Sequence, residues 1–140
     1  MTTTHPVHDV TIVNPWDWQD ALGYSQAVVV ENARRTMYAA GQCSIDADGV
    51  PQHAGDMAAQ VRLTMDNVET VLRAGGMSLA DVIRLDIYTT DLPRYFEQGH
   101  ALVAGRCQAH GRVPAGGILA QVAALAMPPL LVEIVVTAAR

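Results

Sequence analysis

The alternation of apolar and polar positions divides the chain into short strands and two longer helical stretches. Val10 to Val13 is a β-prone run halted by Asn14-Pro15, and Trp16 to Gly23 reads as a loop. Tyr24 to Glu31 is strand-like, rich in β-branched residues over Ala27 to Val30, and Asn32-Ala33 predicts a hairpin turn into a second strand, Thr36 to Gly41. The Asp, Gly and Pro punctuation of Asp46 to Gly55 marks a surface loop.

Asp56 to Ala74 carries Met57, Val61, Met65, Val68 and Leu72 at spacings of three and four, which puts them on one helix face, and Gly75-Gly76 supplies the stop. Ser78 and Asp81 form a capping-box pattern before Val82 to Thr89, whose alternation places Ile83, Leu85 and Ile87 on one face and Arg84, Asp86 and Tyr88 on the other. Asp91 with Pro93 opens a second helix through Phe96, Val103 and Cys107 to about Gly111. Strands near Ile118 to Ala123 and Leu130 to Thr137 follow. The order β-β-β-α-β-α-β-β predicts an α+β domain, a mixed sheet covered on one side by two helices. Its other face needs a cover, which other subunits would supply.

Composition sharpens this picture. The 140 residues suffice for one domain spanning 1–140, with residues 1–9 as a flexible arm. Hydrophobic residues make up 50% and charged ones 16%, a lean surface that points to burial between subunits. The net charge is −5 and all nine basic residues are Arg. Without a basic stripe, nucleic-acid binding is not expected; without Lys, Schiff-base and pyridoxal chemistry are excluded. Cys43 and Cys107 are isolated, as expected of free thiols in a reducing compartment. Met1 to Val10 lacks the apolar core of a signal peptide, and no apolar run is long enough to span a membrane. Cytoplasm is the expected location.

Gly23-Tyr24-Ser25-Gln26, Ala40-Gly41-Gln42, Ala59-Gln60-Val61-Arg62 through Asp66-Asn67-Val68, Asp81-Val82, Tyr88-Thr89-Thr90-Asp91-Leu92 and Val132-Glu133-Ile134 occur in this order. Together they resemble the successive signatures of the Rid (reactive intermediate deaminase, YjgF-like) family, some of whose members carry an endoribonuclease label. The resemblance implies a chorismate-mutase-like fold and a homotrimeric barrel with clefts between neighbouring subunits. It also implies hydrolysis of reactive enamines and imines without metal or cofactor. Tyr24 matches the family's cleft tyrosine, and Glu133 the acidic residue that positions or activates water. Where active deaminases read Pro-Ala-Arg-Ser or Pro-Ala-Arg-Thr, this chain has Pro114-Ala115-Gly116-Gly117-Ile118, with one extra position in the loop or strand. The carboxylate-binding arginine is absent. Gly99, followed by His100, stands where deaminases often have Asn.

An arginine fork grips a carboxylate through charge-assisted hydrogen bonds of about 1.5–3 kcal/mol each. Its loss implies a larger or less acidic ligand unless another arginine, such as Arg112, replaces it. Glu133 in an apolar strand reads as a general acid or base, or as a rim carboxylate. Tyr24 either donates to a bound carbonyl or fills an interface. His100 reads as a hydrogen-bonded core or interface residue before a base, and His5, His8, His53 and His110 lack ligand spacing. Cys43 is the better placed of the two thiols to react, though a structural role fits both. Trp16 and Trp18 read as an anchor for the N-terminal arm or as an aromatic wall.

The expected site therefore comprises Glu133 and Tyr24 as catalytic groups, with Gly116, Gly117, Ile118, Leu119, Gly41 and His100 against the ligand, and no metal. Backbone N–H groups near Ile118 and Leu119 would hold a polarised atom. Two readings remain open. One is an enzyme acting on an imine, enamine or activated carbonyl; the other is a trimer that binds a metabolite or protein partner without chemistry.

Overall fold

Helix α1 (Met57–Ala74) begins where Asp56 accepts the Ala59 N–H at 3.0 Å, the cap that the pattern predicts. It ends at Gly75, and Gly76 at φ 75° turns the chain so that Met77 N–H reaches the Leu72 carbonyl at 2.8 Å. Met57, Val61, Met65, Val68 and Leu72 are all fully buried. Each contributes on the order of 1.5–3 kcal/mol of apolar burial.

That stripe packs on a sheet. This computed structural model describes residues 9–110 and 115–140. The remaining strands are β1 (Asp9–Val13), β2 (Ala27–Glu31), β3 (Thr36–Tyr38), β4 (Val82–Thr89), β5 (Ala115–Gln121) and β6 (Val132–Ala139), with helices α2 (Leu92–Gln98) and α3 (His100–Ala109) between β4 and β5. Four strands form a sheet in the order β3-β6-β4-β5, mixed because β4 and β5 run parallel while the other neighbours are antiparallel. A parallel pair needs a crossover, and α2 with α3 provides it. On β6, Val132, Ile134, Val136 and Ala138 meet α1, while Glu133, Val135 and Thr137 face the other way. The α+β class with a mixed sheet is as expected.

Three local expectations are corrected. Strand β2 pairs with β1 (Val10 opposite Val30), not with β3, which instead pairs with β6 (Thr36 opposite Ala139). Asn32 does turn the chain, at φ 59°, but Arg34 and Arg35 N–H both then donate to the Arg140 carbonyl at 2.9 Å. The end of β6 thus captures the segment and prevents a local hairpin. The second helix is two helices: at buried Gly99 (φ −121°, ψ −38°) a Cβ would lie 2.8 Å from Val61 Cγ2, so glycine permits close approach to α1 while breaking the helical path. In β4 a bulge between Val82 and Arg84 shifts the alternation, so Val82 takes the core place expected of Ile83.

Gln60 is the buried clamp of this core. Its Nε2 donates to the Pro129 carbonyl at 2.8 Å and to the His53 carbonyl at 3.2 Å, and its Oε1 accepts the Leu131 N–H at 2.8 Å. Gln60→Leu keeps the volume but strands these backbone groups. It is expected to lower unfolding free energy by about 2–3 kcal/mol in a urea titration, against near-neutrality for the exposed Arg62→Gln.

Candidate functional site

Between β5 and the helices α2 and α3 lies a chamber of about 700 Å³, closed on one side by residues 21–26. Its wall is shaped by glycine. Leu85 lies opposite Gly116 but Ile87 opposite Leu119, so β5 carries one extra residue at Gly117-Ile118. The result is a β-bulge in the edge strand.

Two close approaches depend on it. A Cβ at Gly117 would overlap Asp86 Oδ1 and lie 2.6 Å from the Leu85 carbonyl oxygen; a Cβ at Gly116 would overlap the Tyr24 ring. The Gly116 N–H donates to the Ser25 carbonyl at 2.9 Å and holds the Tyr24 segment in place. Trp18 meets Tyr24 edge-on at 6.3 Å and stacks with Trp16 at 6.5 Å, an aromatic ladder that leaves both tryptophans exposed.

The chamber brings together Tyr24, Gly116, Gly117, Ile118, Leu119 and His100 from the sequence-derived set. Glu133 and Gly41 lie elsewhere, on the helix-free face of the sheet. There Glu133 is half-buried on β6 opposite Tyr88, and Gly41 runs so close that a Cβ would overlap Glu133 Oε1. The Gln42 N–H and carbonyl both bond Ile134, which fixes that strap beside β6. Within one chain the two groups are therefore separate. Arg112 falls outside the described residues, as do residues 1–8.

Asp86 was not singled out by sequence. The Arg84 guanidinium grips it through Nε and Nη2 at 3.1–3.2 Å, and the Ile118 N–H donates to Oδ1 at 2.6 Å. Burial works to raise the Asp86 carboxyl, but these hydrogen bonds and the Arg84 charge prevail and hold it below the usual range. The Ile118 N–H expected to face a ligand is consequently occupied. The Arg-x-Asp spacing on one strand face was the available signal. Tyr95 was also missed: it lies fully buried in the chamber floor, and burial raises its phenol above the usual value.

Neither thiol is activated. Burial, followed by the charge of Glu133 and a hydrogen bond to its carboxylate, pushes Cys43 from 9.0 up to about 12; burial and, to a lesser degree, Glu69 push Cys107 up to about 11. Both roles are structural. No group of three or more His, Cys, Asp or Glu among the described residues is placed to hold a metal ion. The raised thiols stabilise the fold fully below pH 9, and that contribution is lost as pH climbs through about 11 to 12. At pH 8, iodoacetamide should alkylate the folded chain at least about 100-fold more slowly than the urea-unfolded chain, as followed by mass spectrometry.

Residues 18–140 match the family model described as Endoribonuclease L-PSP. The crystal structure of YyfB from Yersinia pestis, a protein of unknown function of the conserved Rid family, is 32% identical. It superposes over 94% of this chain and 98% of its own with a TM-score of 0.82. E. coli TdcF with bound serine is 26% identical, over 84% of this chain and 87% of its own, with a TM-score of 0.66. A RutC family protein of Sulfurisphaera tokodaii is 36% identical over 69 residues, 49% of this chain and 53% of that protein. The chain spans about half the length of the curated relatives it matches. No helix among the described residues is long and apolar enough to cross a membrane. With the family model matching residues 18–140 and the mixed sheet shared with its structural neighbours, the chain belongs to the Endoribonuclease L-PSP family, the Rid/YjgF group.

Proposed function

We propose that, within the small-molecule deaminase-like or metabolite-binding role that membership of the Rid/YjgF family supports, this chain acts on an imine, enamine or activated carbonyl metabolite other than an ordinary 2-imino acid. Gly116 and Gly117 carry this reading. They stand where a carboxylate-gripping arginine would be, and no residue lining the chamber among those described is an Arg. In the hydrolytic case, water adds to the C=N carbon while Glu133 takes a water proton and passes it to nitrogen; Glu133 then moves the carbinolamine hydroxyl proton to the amine, the C–N bond breaks, and ammonia departs to leave a carbonyl. Tyr24 holds the polarised atom.

Because Glu133 and the chamber are separate within one chain, the reading takes the cleft to be completed by a neighbouring subunit of a homotrimer. The helix-free sheet face supports this: Tyr38 on β3 is 81% exposed beside Thr137, an apolar ring with no cover among the described residues. Capture of a metabolite without chemistry is the second reading, favoured by the Asp86 contact that occupies the Ile118 N–H.

Sedimentation should give a mass three times that of the chain, and Tyr38→Glu should shift it toward the monomer. Imino acids generated in situ by an amino-acid oxidase, beside carboxylate-free imines, separate the functional readings. Ammonia release is expected from the carboxylate-free imines and to fall at least about 100-fold in Glu133→Gln. Rapid release from the imino acids would restore ordinary deaminase function. Unchanged turnover in Glu133→Gln would remove Glu133 from the chemistry, and binding without turnover would favour the second reading.

A further inference from the structure

The chamber's polar atoms specify more than the missing arginine does. Its described lining residues carry no formally charged group, although Arg84, Arg94 and Arg106 lie on the elements around it. Each of these arginines is engaged elsewhere. Arg84 grips Asp86, Arg94 bonds the Gly55 carbonyl and Gln98, and Arg106 pairs with Asp66 and Glu69 on α1. A carboxylate entering the chamber would lose its hydration and meet no cation among these residues.

Two polar atoms of the lining residues, by contrast, are left without a partner among those described. Tyr95 Oη and His100 Nδ1 are buried without a hydrogen-bond partner among the described residues, and both side chains line the chamber. Their rings lie 6.0 Å apart, centroid to centroid. A buried phenol and imidazole without partners are uncommon, because each forfeits its hydration for nothing in return. The rim around them is apolar and open: Leu22, Phe96, Ile118 and Leu119 are all exposed. A volume of about 700 Å³ far exceeds the needs of a three-carbon imino acid and falls in the range of ring-sized ligands.

We propose that the chamber binds an uncharged ligand the size of a substituted aromatic ring, its ring held among the apolar walls and its one polar group hydrogen-bonded by Tyr95 Oη and His100 Nδ1. The inference rests on the chamber being the ligand site of the proposed function and is independent of any catalysis by Glu133. The burial that raises the Tyr95 phenol keeps it a hydrogen-bond donor at neutral pH. Nδ1 then accepts or donates according to the imidazole tautomer.

Calorimetric titration of the full chain with phenylacetamide, phenylacetate and ethylbenzene tests this. Phenylacetamide is expected to bind at least about 10-fold more tightly than phenylacetate. Tyr95→Phe should weaken phenylacetamide about 3- to 10-fold and leave ethylbenzene unchanged, which a merely structural Tyr95 would not do. Ala104→Phe, which fills the chamber from α3, should abolish binding of both while circular dichroism remains that of the parent. Phenylacetate binding as tightly as the amide would overturn the proposal. So would binding indifferent to Ala104→Phe, equal loss of both neutral probes in Tyr95→Phe, or no binding of either neutral probe. Arg62→Gln, exposed and outside the chamber lining, should leave phenylacetamide affinity unaltered, and because affinity is read by calorimetry and catalysis by ammonia release, failure of the catalytic reading and failure of this one appear in different measurements.

Discussion

Burial of the α1 stripe against alternate residues of β6 is the constraint from which the other features of the chain follow. Val132, Ile134, Val136 and Ala138 are committed to the core, each no more than 2% exposed. The period of two in a strand then leaves no choice for Glu133, which must point to the opposite face. β4 is drawn into the same arrangement by pairing along β6, and its bulge at Ile83 is the adjustment that keeps both Val82 and Leu85 in contact with the helix. Gln60 ties the ends together, because a buried amide on α1 satisfies backbone groups in the segment that leads into β6.

The edge of the sheet follows a different logic. Strand β5 has neither the buried alternation of β6 nor its length of pairing, and a glycine pair lets it bulge. The Asp86 carboxylate, steadied by Arg84, takes the backbone N–H that the bulge frees, which converts an irregularity into a defined contact. The same glycines leave room for Tyr24 and open the chamber beneath α2 and α3. The glycine pair and the residue that β5 holds in excess of β4 therefore meet at one place and shape one wall.

Electrostatics reinforce this division. The helix-free face holds Arg84, Asp86 and Glu133, whereas the chamber on the other side has no Arg, Asp or Glu among its described lining. Thiols at both places, Cys43 beside Glu133 and Cys107 in the chamber wall, are kept protonated by burial. On the proposed reading, the chemistry is acid–base on one face and recognition of an uncharged group on the other, with assembly bringing them to a single ligand.

The sequence by itself determined the helix α1 with its cap and stop, the capping box at Ser78 and Asp81, the α+β class and the family. All of these rest on local periodicity or on ordered short motifs, which neighbouring residues express without help. The partners of β2 and β3, the break at Gly99, the bulges and the separation of Glu133 from Tyr24 were decided only in three dimensions. Each of them depends on a contact distant in sequence: Arg140 with Arg34, Val61 with Gly99, Asp86 with Ile118. A turn signal at Asn32-Ala33 states that the chain reverses, but not which strand edge receives it. That is set by whichever unpaired edge offers its hydrogen bonds nearest, and here it was the end of β6.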